Sequence, residues 1–234
     1  DKREGYLATA RTKPSLLLKG ETPRLIDEWQ GAPVLWDAVR NTVDKRNQKG
    51  QFILTGSTVV EDKNGEIMHT GTGRISKMPM YPMSLYESKE STGSISLRLL
   101  FDDPAYDIDG FLSDMTVEKL IFAACRGGWP ASLDVTSQEA QLLIAQDYVN
   151  VICDEDISRV DGVRRQPALA RLIMRSYARN ICTLVKKSKM LADITVEMEK
   201  TSMPTFDDYV SALQRLFVIE DVEAWCPAIR SAAA

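Results

Sequence analysis

RLIDEWQ, residues 24–30, runs two apolar residues into a pair of adjacent carboxylates, Asp27 and Glu28, with an aromatic directly behind them. Leu25 and Ile26 read as a short strand, which puts the pair at its carboxyl end. Two charges at the end of a buried strand cost free energy through desolvation unless something uses them. A magnesium ion and a phosphate-bound water are such a use, with the aspartate helping to hold the metal and the glutamate accepting a proton from the water. The alternative is local: Asp27 and Glu28 open the next helix, where carboxylates suit the positive end of the dipole.

The flanking sequence reads as a crossover unit. Val34, Leu35, Ala38, Val39 and Val43 recur at helical spacing between Pro33 and Gly50. QFILTGS, residues 51–57, is then a continuous apolar run of strand length ending in Thr55, Gly56 and Ser57. Such a run predicts a fully buried strand of a parallel sheet. Strand, helix and strand, with about two dozen residues between the strand ends, fit a right-handed crossover. Thr55 or Ser57 then falls at the sheet edge that carries Asp27, where open parallel sheets bind ligands; the local alternative makes this TGS a helix cap. In HTGTGRI, residues 69–75, Gly71 and Gly73 permit an unusual backbone path that presents Arg74 outward. Arg74 is either an arginine donating charge to a phosphate or a loop arginine paired with a surface carboxylate. His69 reads as a polar loop residue.

The composition sets limits. The chain has 234 residues and a net charge of −4, so any basic surface is local. Cys125, Cys153, Cys182 and Cys226 lie far apart and His69 is the one histidine, which argues against a zinc site and for reduced thiols of a cytoplasmic protein. No apolar run reaches the length of a membrane span, so no membrane partner is expected.

From about residue 103 the pattern turns helical, after the acidic turn DDPAYDIDG. Helices are predicted in TVEKLIFAAC, SQEAQLLIAQDYVNVIC, QPALARLIMRSYARNIC, KSKMLADI and FDDYVSALQRL, the last followed by FVIEDVEAW, which alternates like a β-ribbon. Three helices and a ribbon give the order of a winged helix-turn-helix. Leu142, Leu143, Tyr148, Val149 and Ile152 follow helical spacing and are expected in the hydrophobic core, and Met78, Met80 and Met83, among prolines, are expected to be buried packing. Nine basic residues and one acid, Asp161, lie between Arg159 and Lys189. Arg171, Arg175 and Arg179 share one helix face, with Lys186 and Lys187 beyond, and together they form a candidate nucleic-acid surface. Against this, Asp207 and Asp208 open the presumptive recognition helix and would repel phosphates.

PRLIDEWQ, VLWDAVRNTVD, KGQFILTGS, HTGTGRI and PMSLYES, in that order, resemble prokaryotic AAA+-type P-loop ATPases that carry a C-terminal domain of unknown function. GGWPASL and DISRVDGVRRQPALARLIMRSYARN resemble the start of that second domain. The resemblance implies an α/β core, a partial P-loop NTPase parallel sheet over residues 1–103. A mainly α region, 104–234, follows, with the winged helix at 161–230. It implies ATP and Mg2+ as ligands, Asp27 as the Walker B aspartate, Glu28 as the catalytic glutamate, Thr55 or Ser57 as the sensor group and Arg74 as a candidate arginine finger. It also implies a possible homo-oligomer. No stretch has the phosphate-loop form GxxxxGK[ST], so the chain reads as a fragment lacking that loop, inactive by itself and stopping before the family's usual end. The rival reading is a winged-helix module that binds nucleic acid or protein and has no ATPase activity.

Overall fold

The structure, a computed structural model, describes residues 2–58, 67, 71–103, 105–198 and 200–222. Two compact units divide it: residues 78–152 form one, and residues 1–77 with 153–234 form the other.

The first stretch, 1–77, carries α1 (Lys2–Thr12), β1 (Arg24–Ile26), α2 (Leu35–Arg46) and β2 (Phe52–Leu54). β1 and β2 pair in parallel, with Arg24 opposite Phe52, Leu25 opposite Ile53 and Ile26 opposite Leu54. α2 is the crossover, and Asn47 ends it in the left-handed conformation at φ 50°, a cap that asparagine tolerates well. A small core joins Ala10, Ala32 and Leu35, with Leu7, Leu17 and Ile26 packed on it. Side chains alternate across a strand, so this core takes Ile26 and leaves Leu25 on the other face.

That alternation corrects the expectation of fully buried strands. Leu25 is 62% exposed and Ile53 is 53% exposed, because the described residues cover one face of the sheet. The buried Gln51 just before β2 is well satisfied: its Oε1 accepts from Arg46 at 2.9 Å and its Nε2 donates to the Gln48 carbonyl at 2.6 Å.

Residues 78–152 hold α3 (Leu97–Asp102), α4 (Val117–Arg126), α5 (Pro130–Leu133) and α6 (Gln138–Val151). Thr116 and Ser137 cap α4 and α6 through their hydroxyls. Arg126 makes a two-pronged pair with Glu90, at 2.9 and 2.8 Å, and is itself buried. Met83 N donates to the Gly128 carbonyl at 2.8 Å, and a Cβ on Gly128 would collide with the Met83 backbone. Glycine is therefore required there. Trp129 packs on Tyr148 with ring centroids 4.4 Å apart.

Two groups assigned to the core from the sequence lie instead at the surface. Met78 and Met80 are 88% and 90% exposed, on a segment with no helix or strand. Leu142, Leu143 and Tyr148 are also exposed, on a helix none of whose residues is fully buried.

A π-helical turn (Ile152–Asp156) leads to α7 (Ile157–Arg159), α8 (Pro167–Arg179), α9 (Lys187–Thr195) and α10 (Met203–Arg215). α10 packs on α7, α8 and α9, and α8 packs on α9. Ile157, Leu169, Ile173, Met190, Ile194, Phe206, Val210 and Leu213 fill the space between them. Of the FVIEDVEAW stretch, Phe217–Val222 form no strand and the remainder lies outside the described residues. No described helix is long and apolar enough to cross a membrane. Cys125, Cys153 and Cys182 are free thiols; Cys226 and His69 lie outside the described residues.

Candidate functional site

The strand register puts Asp27 and Thr55 at equivalent positions, one residue past the last pair, Ile26 and Leu54. The ladder continues there: Thr55 N donates to the Ile26 carbonyl at 3.0 Å, and Trp29 N donates to the Thr55 carbonyl at 3.2 Å. With the backbones so fixed, Thr55 Oγ1 donates to Asp27 Oδ1 at 2.5 Å. Both side chains sit at the carboxyl edge of a parallel pair, where ligands bind in open sheets of this kind.

Glu28 follows in the left-handed conformation, φ 52° and ψ 42°. For a residue with a Cβ this backbone is unfavourable by about 1–2 kcal/mol. Such strain persists where the surroundings over-determine it, and here they do. A 3₁₀ turn (Trp29–Gly31) starts at once, and the Trp29 ring packs on Trp36 of α2 with centroids 5.1 Å apart. Gln30, in the same turn, donates through Nε2 to Glu28 Oε2 at 2.6 Å and to Ser57 Oγ at 3.2 Å.

Asp27 and Glu28 are both exposed. The desolvation argument from a buried strand end therefore does not hold, because the strand is open on one face and its end faces solvent. What singles out the pair is geometry: a carboxylate locked by a hydroxyl, and beside it a carboxylate on a strained backbone.

Arg74 is brought elsewhere. Gly71 and Gly73 take positive φ, 74° and 77°, as the turn requires. A Cβ on Gly71 would stand 2.9 Å from the Trp36 ring, so that glycine also lets the turn close on α2. Arg74 Nε then donates to Asp44 Oδ1 of α2 at 2.9 Å, the pairing with a surface carboxylate that the sequence left open.

Most of the basic row is likewise engaged within the chain. Arg171 pairs with Asp154 at 2.9 Å, Arg175 with Glu197, and Lys187 with Asp207 at 2.8 Å. Arg171 holds the Asp154 carboxyl below its ordinary value by donating to it. Arg179 is exposed near the end of α8, and Lys186 is the residue before α9. Asn180, Thr183, Leu184, Val185, Lys186, Ser188 and Lys189 line an open depression between those two helices.

A buried polar cluster among α7, α10 and the loop between α7 and α8 went unread in the sequence. Arg165 is 5% exposed and directs its guanidinium to the Ile157 carbonyl and to both oxygens of Asp161 and of Asp208, at 2.6 to 3.0 Å. Arg215 adds a bond to the Val160 carbonyl at 3.0 Å and lies 3.5 Å from Asp161. Asp161 was visible as the lone acid of a basic stretch, and that was its available signal. Asp208, read as a phosphate-repelling charge on a recognition helix, is an internal partner of Arg165.

Two family patterns match the chain. One, described as a domain of unknown function (DUF8612), covers residues 117–234, half of the chain. The chain belongs to that family. The other, described as an AAA domain, covers residues 3–89 and so takes in Asp27, Glu28, Thr55, Ser57 and Arg74. The DUF8612 segment is thus preceded by an AAA-type domain. Comparison with curated proteins and with solved structures found no match.

Proposed function

We propose that Asp27, Glu28 and Thr55 form the metal and water half of an AAA-type site for ATP hydrolysis. The observation that carries the reading is the Thr55–Asp27 hydrogen bond across the carboxyl ends of a parallel pair, with Glu28 next in line on a left-handed backbone. The AAA-domain match over the same residues supports it. The donor chemistry fits magnesium, which takes hard oxygen ligands and is commonly held by one or two carboxylates plus phosphate oxygens. The described residues contain no group of three or more His, Cys, Asp or Glu side chains able to hold a metal unaided, so Asp27 would hold the ion together with nucleotide. The bound ion supplies charge neutralisation at the phosphoryl oxygens.

The protein groups divide the remaining work. Thr55 fixes the orientation of the Asp27 carboxylate. Glu28 takes the proton of the attacking water, and its exposed carboxylate can reach a ligand without displacing core. Ser57 reports on the nucleotide as the sensor group. Arg74 acts as the finger by leaving Asp44, and an exposed pair of this kind contributes only about 0–1 kcal/mol. A finger acting in trans requires a second copy of the chain, hence a homo-oligomer. The phosphate-cradling backbone is not part of this reading, since no GxxxxGK[ST] occurs in these 234 residues. In the full-length natural protein, Glu28→Gln should abolish turnover and spare ATP binding; unchanged turnover rejects the assignment.

We further propose a functional division at 1–103 and 104–234, with residues 161–230 a helix-turn-helix of winged type that docks protein, in the cytoplasm. The mutual packing of α8, α9 and α10 supports a helix-turn-helix. The internal pairing of Arg171, Arg175 and Lys187 favours a protein partner over duplex DNA, because it removes the uncompensated charge that phosphate binding needs.

A further inference from the structure

The geometry points to Gln30 as a positioning residue that aims the Glu28 carboxylate and couples it to Ser57. The inference rests on the assignment of Glu28 as the base, and it concerns a residue to which neither family match gives a role.

One amide nitrogen serves both neighbours, Glu28 Oε2 at 2.6 Å and Ser57 Oγ at 3.2 Å. An amide NH2 has two hydrogens, so the two bonds use its whole donor capacity. The bridge spans residues 27 positions apart in sequence, from the turn after β1 to the loop after β2. It therefore joins the two groups whose relative position matters most for hydrolysis, the base and the sensor.

The amide orientation is fixed by charge. Rotated by half a turn, its oxygen would face the Glu28 carboxylate, acceptor against acceptor. As it stands, Oε1 is buried and has no hydrogen-bond partner. A buried orphan acceptor of this kind calls for a functional or structural reason, and the reason here is that the nitrogen is needed on the other side.

Gly56 supplies an independent observation. A Cβ built there would run into Gln30 Oε1 and would lie 3.3 Å from Trp29 Nε1. The glycine in TGS is thus the floor on which the amide rests. Its own φ is not in the left-handed region, so alanine at this position perturbs space rather than backbone. Gly56→Ala should displace the Gln30 amide while leaving every group of the bridge chemically intact.

The test has two parts. In the 234-residue chain without nucleotide, the side-chain amide of Gln30 is followed by 1H–15N NMR. Its resonances should move in Glu28→Ala, in Ser57→Ala and in Gly56→Ala; a signal indifferent to all three overturns the bridge. In the full-length natural protein, Gln30→Leu and Gly56→Ala should each lower kcat for ATP about 10- to 100-fold, with KM within about twofold, because a displaced catalytic group costs rate more than binding. The double variant should be no slower than Gln30→Leu alone, since both act through one amide. Multiplying effects, or an unchanged kcat, overturn the positioning role. Glu28→Gln is run alongside: if it retains turnover, the base assignment falls, whereas loss of turnover there with wild-type kcat in Gln30→Leu rejects this inference alone.

Discussion

Thr55 and Asp27 meet across the ends of two parallel strands, hydroxyl to carboxylate, at 2.5 Å. The contact is a direct consequence of register, since each residue lies one step beyond the last paired position. Replacing Thr55 by valine keeps the shape and removes the donor. A net hydrogen bond contributes about 0.5–1.5 kcal/mol, so the Mg2+ concentration giving half-maximal ATPase in the full-length protein should rise about 2- to 10-fold in Thr55→Val. A Mg2+ titration of the steady-state rate measures this, and superimposable curves would remove Thr55 from the site.

Arg165 makes the second prediction. Removing one partner from a buried, hydrogen-bonded ion cluster typically costs about 3–5 kcal/mol, because a charge is left inside without its counterion. Arg165→Met takes from Asp161, itself nearly buried, its two-pronged guanidinium partner and leaves Arg215 at 3.5 Å. Urea unfolding should show a loss of that size. Combining it with Asp161→Leu should recover part of the loss, the non-additivity expected of groups in one network. Additive costs would mean that the two residues act separately.

Much of the fold was open to inspection in the sequence, because the relevant signals are local. Thr116 and Ser137 announce their helices by hydroxyl caps, and Leu169, Ile173 and Phe206 fall on the helical period that buries them. Strand direction alone put Thr55 or Ser57 at the edge that carries Asp27; that Thr55 is the one that reaches it depends on register. Other features depend on what covers a surface, which no periodicity encodes. Leu25 and Ile53 look like core by composition and are exposed because none of the described residues covers their face of the sheet. Arg165 looked like any other member of a basic run, yet Ile157, Asp161 and Asp208 converge on it from different elements. Gln30 was invisible for a further reason: its bridge depends on the left-handed turn at Glu28, a conformation that glutamate does not advertise.

The basic row gives the third prediction. Arg171 and Arg175 are spent on Asp154 and Glu197, pairs with both partners substantially exposed. Residues 104–234 should therefore bind duplex DNA no more tightly than an ordinary non-specific surface, roughly 10⁻⁴–10⁻⁶ M at physiological salt. Reversing the charge of Arg171, Arg175 and Arg179 together should weaken that already weak binding further, by an amount that fades as salt rises, as a non-specific charge effect does. Fluorescence anisotropy with a labelled duplex, repeated at several salt concentrations, reads both quantities. A tight complex that the triple reversal abolishes would restore the nucleic-acid reading.

Glu90 and Arg126 give the last prediction, through pH. Donation by Arg126, aided by Ser88, holds the Glu90 carboxyl below its ordinary value in the folded chain. A depressed folded value means that the unfolded chain binds the proton more readily. The pair's contribution is therefore complete above the unfolded carboxylate range, near about 4.3, and is lost as pH falls through the lower folded value. Glu90→Gln removes the charge at every pH and serves as the reference. At pH 7 the wild-type chain should be more stable than the variant by about 1.5–3 kcal/mol, the range for hydrogen bonds to charged groups. Near pH 3 the gap should have narrowed markedly, and it should close further as acid titrates the remaining carboxylate. Urea midpoints followed by far-UV circular dichroism, taken at both pH values for both proteins, measure the gap. A gap that stays constant between them would show that Glu90 contributes by shape and neutral hydrogen bonding, with no part played by its charge.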